Sequence, residues 1–468
     1  MPAANHDGLA LFPPVSLLGQ LASSRRDASL TGHPLNVSIC QAAMKVHLAY
    51  GRHGLDVELP DHAHVLLPER LPALPDPAAA VRQALRQPIA SPPLQQMVRP
   101  GQRVAVVFSD ITRPIPNHVL LPPLLAELEE TGIHRQEITL INALGMHRPN
   151  TSEELERMLG REIVEGYRIV QHSAHDPTHL TYLFTNGRGA RVEVNSHYMA
   201  ADVRILTGFV EPHVFAGYSG GGKAVLPGIA GAEIVMSNHS GPMLAHPRAT
   251  WCTVEENPSF QEIREVALTT RPTMLLNVTL SEGKEIAAVF AGGLVAAHNA
   301  GIAFAERAYM RPVPHEYDIA IASNLGYPAD INLYQSFKGL SVAAQAVRSG
   351  GIVIVAAECS DGLGRSPFRQ LLAIGKSLQE QLKIIEDPSF RHDDQWGVQV
   401  GAKVQAKVRS YLYSTLSAED AALAHMIPCS DICGLVRSLS EEHRRTHSAE
   451  PRILVLPYGQ LTVPRVVG

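Results

Sequence analysis

The chain is short of charge. Of its 468 residues, 40 are Lys or Arg and 45 are Asp or Glu, 18% together, against about 25% in a typical soluble domain. The net charge is −5 and no strongly basic domain stands out, which argues against a protein that holds nucleic acid by charge. Cysteine is scarce. Cys40, Cys252, Cys359, Cys429 and Cys433 are odd in number and scattered, which excludes a disulfide framework. Cys429 and Cys433 are spaced CxxxC rather than CxxC and read as plain thiols. Long apolar runs are missing as well. None reaches the roughly 18 residues of a membrane span, and Gly350–Ala357 has the length of a buried strand. The early apolar patches Leu9–Phe12 and Val15–Leu18 are split by Pro13-Pro14 and followed, not preceded, by Arg25-Arg26. That order is wrong for a secretory signal, so a cytoplasmic protein with no membrane partner is expected.

What is present is apolar mass and histidine. Hydrophobic residues make up 45% and histidines number 22. The first supplies a large core; the second suits proton transfer near neutral pH and metal binding. Residues 1–44 read as an irregular extension rich in Pro, Ser, Gly and Ala. Lys45–Leu59 alternates like a hairpin, and Ala78–Arg86 is a short helical patch. A rhythm then begins. Strands are predicted at Arg103–Ser109, Glu137–Leu144, Tyr167–His172 and Ala201–Phe209, with helices at Asn117–Thr131, capped by Asn117, and at Thr151–Leu159, opened by a Thr151–Glu154 capping box. The second half repeats the style. Helices are predicted at Leu294–Met310, Ser336–Arg348 and Thr415–Met426, and strands at Asp318–Ser323, Gly351–Ala357 and Arg452–Pro457. This alternation predicts an α/β chain of two lobes with mainly parallel sheets and a break near 295–315. Ligands in such sheets sit beyond the carboxyl ends of strands.

Five polar segments follow strands or close helices. In Asp110-Ile-Thr-Arg113-Pro-Ile-Pro116, the Asp and Arg either meet an anion, for which Arg offers a planar fork, or pair with each other on a stiff turn. His147, in Gly145-Met-His147-Arg148-Pro149, either faces a ligand or is structural. The third segment runs Glu211-Pro-His213-Val-Phe-Ala-Gly217-Tyr-Ser219-Gly220-Gly221-Gly222-Lys223. Its glycines allow close backbone approach and can offer N–H groups to a phosphate. Lys223 is open to three readings: a phosphate contact, a covalent lysine or a solvated side chain. His239 closes a helix from Ala232 and returns towards the same region. In Gly326–Gly339, Gln335 and Lys338 are spaced i, i+3 on one helix face. Trp396, one of two tryptophans, either walls a ligand or fills a core. His172 and His175-Asp176 lie in a loop without metal-ligand spacing. No GxGxxG with a following acidic residue marks a nicotinamide site.

Taken in order, SDITRPIP, LGMHRPN, GFVEPHVFAGYSGGGKAVLPGI, SNHSG, GYPADINLYQSFKG and DQWGVQVGAKV resemble the nickel-dependent lactate racemase family of 2-hydroxyacid racemases and epimerases, over residues 45–468. The resemblance implies two α/β lobes with the active site in the cleft between them: residues 45–300 catalytic and cofactor-binding, residues 301–468 contributing substrate contacts. It implies a nickel-pincer nucleotide, a pyridinium-3-thioamide-5-thiocarboxylic acid mononucleotide, covalently held by Lys223, with Ser219, Gly220, Gly221 and Trp396 around it. His239 would complete the Ni(II) coordination. His147 and His213 would be the two catalytic bases. Asp110, Arg113, Tyr334, Gln335 and Lys338 would bind a small 2-hydroxycarboxylate. The family's chemistry is hydride transfer through a 2-keto acid, and cofactor-maturation enzymes are expected as transient partners. A sugar-acid epimerase is the alternative within the family. Two positions depart from the family pattern: Gly222, where a basic residue often precedes the lysine, and the Cys359–Arg365 turn.

Overall fold

Strand Val104–Ser109 is apolar at nearly every position because it is covered on both sides. Val104, Val106 and Phe108 face one core with Leu120, Leu124 and Leu128 of helix Asn117–Glu130. Ala105 and Val107 face another with Leu226, Ile229 and Ile234. The strand is central in a six-stranded sheet whose spatial order is Ile286–Gly292, Met274–Leu280, Val203–Phe209, Val104–Ser109, Ile138–Ala143, Arg168–Gln171. All neighbours are parallel except the first pair, which is antiparallel. The computed structural model describes residues 43–467, so nearly all of the extension expected over 1–44, Cys40 included, lies outside the described residues.

The second sheet also has six strands, all parallel: Ile427–Cys429, Arg409–Tyr413, Val347–Ala356, Tyr317–Ser323, Ile453–Leu456, His64–Val65. It too alternates between two cores. Ala320, Ala322, Val353 and Val355 meet Phe337 and Leu340. Ile319, Ile321 and Ile354 meet Val46, Leu48, Val57 and Leu59. The hairpin Ala43–Leu48/Leu55–Pro60 and the strand His64–Val65 thus pack with the second sheet, although they stand in the segment assigned by sequence to the first lobe. The helix Leu294–Tyr309 stays with the first lobe, its Leu294 and Ala297 in that lobe's core. Among the described residues no helix is long and apolar enough to cross a membrane.

Most expected elements are present, with shifted ends. Asn117 is not the cap of its helix: Pro116 holds that position, and the Asn117 amide donates instead to the Ser109 carbonyl at 3.0 Å. The helix expected over 336–348 is Leu333–Ala343, started by Asn332, whose side chain accepts from the Gln335 N–H. Residues from Val347 already belong to the next strand. The helix expected from Thr415 begins at Ala418, capped by Ser417.

The lobes are tied at a seam. The Trp251 indole donates to Ser341 Oγ at 3.0 Å, and Gln399 donates to the Gly241 carbonyl at 2.8 Å. Gln399 lies on the helix Gln395–Gln405, which carries Trp396 to that seam.

Candidate active site

Parallel strands end on one edge, so the loops after Ser109, Ala143 and Phe209 emerge together. The first carries Asp110, 3% exposed. Its carboxylate accepts from Thr112 Oγ1 at 2.8 and 3.1 Å, and its Oδ2 lies 2.8 Å from His147 Nδ1. A carboxylate can only accept, so Nδ1 carries the hydrogen and His147 Nε2 is left bare. The His147 loop is joined to the loop after Lys223 by the Gly145 N–H, which donates to the Gly228 carbonyl at 2.9 Å.

His213 is bonded in the opposite sense. It sits in a tight antiparallel turn, Pro212–His213 against Gly217–Tyr218. Its Nδ1 accepts the Ala216 N–H at 3.2 Å, and its Nε2 lies 3.2 Å from Lys223 Nζ. Burial, then the charges of Lys223, Arg113 and Lys338, push its pKa well below the usual histidine value. Burial and the nearby Arg113 bring Lys223 down to about 7, with Glu211 opposing.

From His213 a file of rings runs into the second lobe. Phe215 stands edge-on to His213 at 4.6 Å and to His239 at 5.0 Å. His239 stands edge-on to Trp396 at 5.3 Å. The Trp396 indole donates to the Tyr334 hydroxyl at 2.8 Å. His239 ends the helix Ala232–Asn238 and its Nδ1 donates to the Val235 carbonyl at 3.1 Å, which leaves Nε2 bare. Burial lowers its pKa to about 3. Tyr334, Gln335 and Lys338 share the helix Leu333–Ala343. Burial, then Arg113, lowers Lys338 to about 8, against Glu211.

The glycine run allows close approach, as its sequence suggests, and what approaches is the protein's own side chains and backbone. The Gly221 N–H donates to Asn277 Oδ1 at 2.7 Å and is not available to a phosphate. Gly221 has φ +55° and a Cβ there would lie 2.1 Å from His298 Nδ1. His298 in turn donates from Nε2 to the Ser219 carbonyl at 2.9 Å. Ser219 Oγ donates to the Phe209 carbonyl and accepts the Glu211 N–H, both at 2.9 Å, so its hydroxyl braces the loop. Gly222 departs from the family pattern because a Cβ would lie 2.7 Å from the Ile263 carbonyl of helix Pro258–Thr269. His172 is structural: it is buried, donates to the Ala230 carbonyl at 3.0 Å and is pushed down to about 4. In the departing turn, Arg365 pairs with Asp394, the residue that opens the Trp396 helix.

Glu211 received no role from the sequence. Its carboxyl pKa is raised by burial and lowered by Lys338, Arg113 and Lys223. It is the acidic side chain set among three basic ones supplied by separate segments. The only signal in the sequence was its place two residues before His213.

The comparisons with known proteins bear on this cluster. The lactate racemase N-terminal domain model matches residues 50–252 and the lactate racemase C-terminal domain model matches residues 313–460. A lactate racemase of Thermoanaerobacterium thermosaccharolyticum is 32% identical over 375 residues, 77% of this chain and 85% of that protein. One from Lactiplantibacillus plantarum is 36% identical over 326 residues, 69% of this chain and 76% of its own. The solved lactate racemase apoprotein of T. thermosaccharolyticum superposes with a TM-score of 0.82 at 28% identity, covering 90% of this chain and all of that one. A Thermotoga maritima protein shares the fold, with a TM-score of 0.63 at 19% identity over 84% of this chain and 99% of its own.

Proposed function

The chain belongs to the lactate racemase family and is a racemase, and we propose that it inverts the C2 centre of a 2-hydroxycarboxylate, lactate or a close relative, with a nickel-pincer nucleotide tethered to Lys223. The observation that carries this reading is a half-buried cation awaiting an anion. The Lys338 ammonium has no hydrogen-bond or ion-pair partner among the described residues, and Arg113 acts on it from the first lobe. A buried unpaired charge is costly unless a ligand supplies the partner. Once acylated, Lys223 carries no charge at any pH. Arg113 and Lys338 against Glu211 then leave one net positive charge, matched to a monocarboxylate.

The residues fit the cofactor. His239 is held by its Nδ1–H on Val235, the usual second hydrogen bond of a metal-ligating histidine, with Nε2 free. Among the described residues no group of three or more His, Cys, Asp or Glu gathers as a metal site. The other donors to nickel would come from the cofactor, whose sulfurs suit Ni(II). When bound, the group supplies a reversible acceptor for the C2 hydride.

The chain's own residues do the rest. Arg113, Lys338 and Gln335 orient the carboxylate. His147, with Nε2 bare, takes the hydroxyl proton, and Asp110 stabilises the imidazolium that results. The keto acid is planar at C2 and can be reduced from either face, where His213 serves the other hydroxyl position. Trp396, Tyr334 and Phe215 wall the site against water.

The test is co-expression with cofactor-maturation enzymes, followed by intact mass, nickel content and chiral analysis from each lactate enantiomer. The expected result is one adduct, about one nickel per chain and convergence on the racemate from both sides. Full activity without adduct or nickel overturns the reading. Epimerisation of an aldonate with none of lactate selects the sugar-acid alternative.

A further inference from the structure

We propose that His213 donates its Nε2–H to the Lys223 amine, so that the unloaded protein keeps this one lysine as a neutral nucleophile, prepared for acylation before any cofactor arrives. The inference deepens the tethering reading above and rests on it for its biological purpose, though not for its test.

The argument starts at the far side of the ring. The Ala216 N–H donates to His213 Nδ1 at 3.2 Å, with the Phe215 N–H at 3.5 Å beside it. A ring nitrogen that accepts a hydrogen bond carries no hydrogen, so the hydrogen of the neutral imidazole is on Nε2. Nε2 faces Lys223 Nζ at 3.2 Å. An ammonium has three donors and no lone pair, and would set hydrogen against hydrogen. The contact is a bond only if Nζ accepts, that is, as an amine. The imidazolium alternative forfeits the Ala216 bond.

Every charged group around the pair leans the same way or is outvoted. Arg113 and Lys338 disfavour a second ammonium, Glu211 favours it, and burial exceeds all three. His213 is kept neutral by burial and by Lys223, Arg113, Lys338 and His239. The Phe215 ring, with Nζ over it at 5.6 Å from the centroid, favours the ammonium, but at this distance only weakly. His213 would therefore act twice: as a positioning residue for the amine during loading, and at the substrate hydroxyl afterwards.

The test uses full-length unloaded protein and trace labelling with acetic anhydride over a range of pH, read by peptide mass spectrometry. In the labelling step the Nζ lone pair forms the C–N bond. Acetate leaves with the electron pair of the broken C–O bond, and the nitrogen's proton goes to water. Lys223 is expected to label with a midpoint near 7, well below the exposed lysines, whose ordinary value is about 10.4. His213→Gln presents an acceptor to Ala216 and an amide N–H to Nζ, and should keep the low midpoint. His213→Glu presents only acceptors and should raise it by about 2 pH units, roughly 100-fold less labelling at neutral pH. Lys223 labelling together with the exposed lysines, or an unmoved midpoint in His213→Glu, overturns the proposal. If the variants fail to fold, nitrogen-15 NMR of labelled histidines in the unloaded wild type decides: Nε2-protonated His213 is expected, and an Nδ1-protonated ring refutes it. A low midpoint without any adduct after co-expression would end the tethering reading and leave this one standing.

Discussion

Two corners of the site hold the same side chain in opposite states. His147 is 44% exposed and backed by a carboxylate, Asp110. His213 is half-buried, backed by a backbone N–H, and faces an amine. The Asp110 corner takes the hydrogen on Nδ1 and leaves a base at Nε2. The Ala216 corner accepts at Nδ1 and leaves a donor at Nε2. The lesson is that the partner on the remote nitrogen, not the histidine, decides which end works. A racemase must take a proton on one side and return one on the other, and two corners already opposite in state suit that task.

The comparison breaks most completely at Lys223, which gives the His213 corner its character. Lys223→Ala should abolish the adduct in the intact mass and reduce racemisation to background; a retained adduct would place the tether elsewhere. Next come the bases themselves. His147→Ala should lower kcat by about 10²–10⁴-fold, the usual worth of a general acid–base group, while the adduct mass persists. Asp110→Asn keeps the shape but not the charge, and in this half-exposed corner should cost less, roughly 10- to 100-fold. An Asp110→Asn enzyme as active as wild type would remove the distinction between the corners. Lys338→Met should act on both corners equally, raising KM by about 10- to 100-fold, as expected from losing a charged hydrogen bond worth about 1.5–3 kcal/mol, with the pH profile of kcat unchanged in form.

The smallest effect on activity, and the sharpest control, concerns histidines outside the corners. Burial holds His172 and His298 down to about 4 in the folded chain, against an ordinary value of about 6.5. The unfolded chain binds their protons first as pH falls, so stability is lost from about pH 6.5 downwards and levels off below 4. Between pH 7 and 5 each should cost roughly 2 kcal/mol, read as a shift in the denaturant midpoint. His172→Gln should flatten that slope without touching the labelling of Lys223.

Legibility followed burial. Strands such as Val104–Ser109 were readable because a strand covered on both faces writes a continuous apolar run. Gln395–Gln405 was not read as a helix, because its hydrophobic stripe is broken by glutamines that are buried and bonded only in the fold, as Gln399 is to Gly241. The hairpin Ala43–Leu48/Leu55–Pro60 is legible locally, but the residues it packs against, among them Ile319, Ile354 and Val455, stand far along the chain. In the site, the motifs were readable because each follows a strand or closes a helix. The role of Glu211 is not legible locally, because two of the basic side chains around it, Lys338 and Arg113, come from distant segments. The glycines' close packing was legible from residue type, but not that Asn277 and His298 are what packs there.

The sequence by itself determined the residue types, the motifs and their positions after strands, because apolar periodicity and turn chemistry are written locally. Scarce charge and short, unbroken apolar runs already implied two lobes with mainly parallel sheets. Only the tertiary structure decided which nitrogen of each histidine is free, that Lys223 stands against His213, and that Lys338 is half-buried with no partner among the described residues. Those depend on hydrogen bonds and burial between segments far apart in the chain, and protonation is set by surroundings that no stretch of sequence contains.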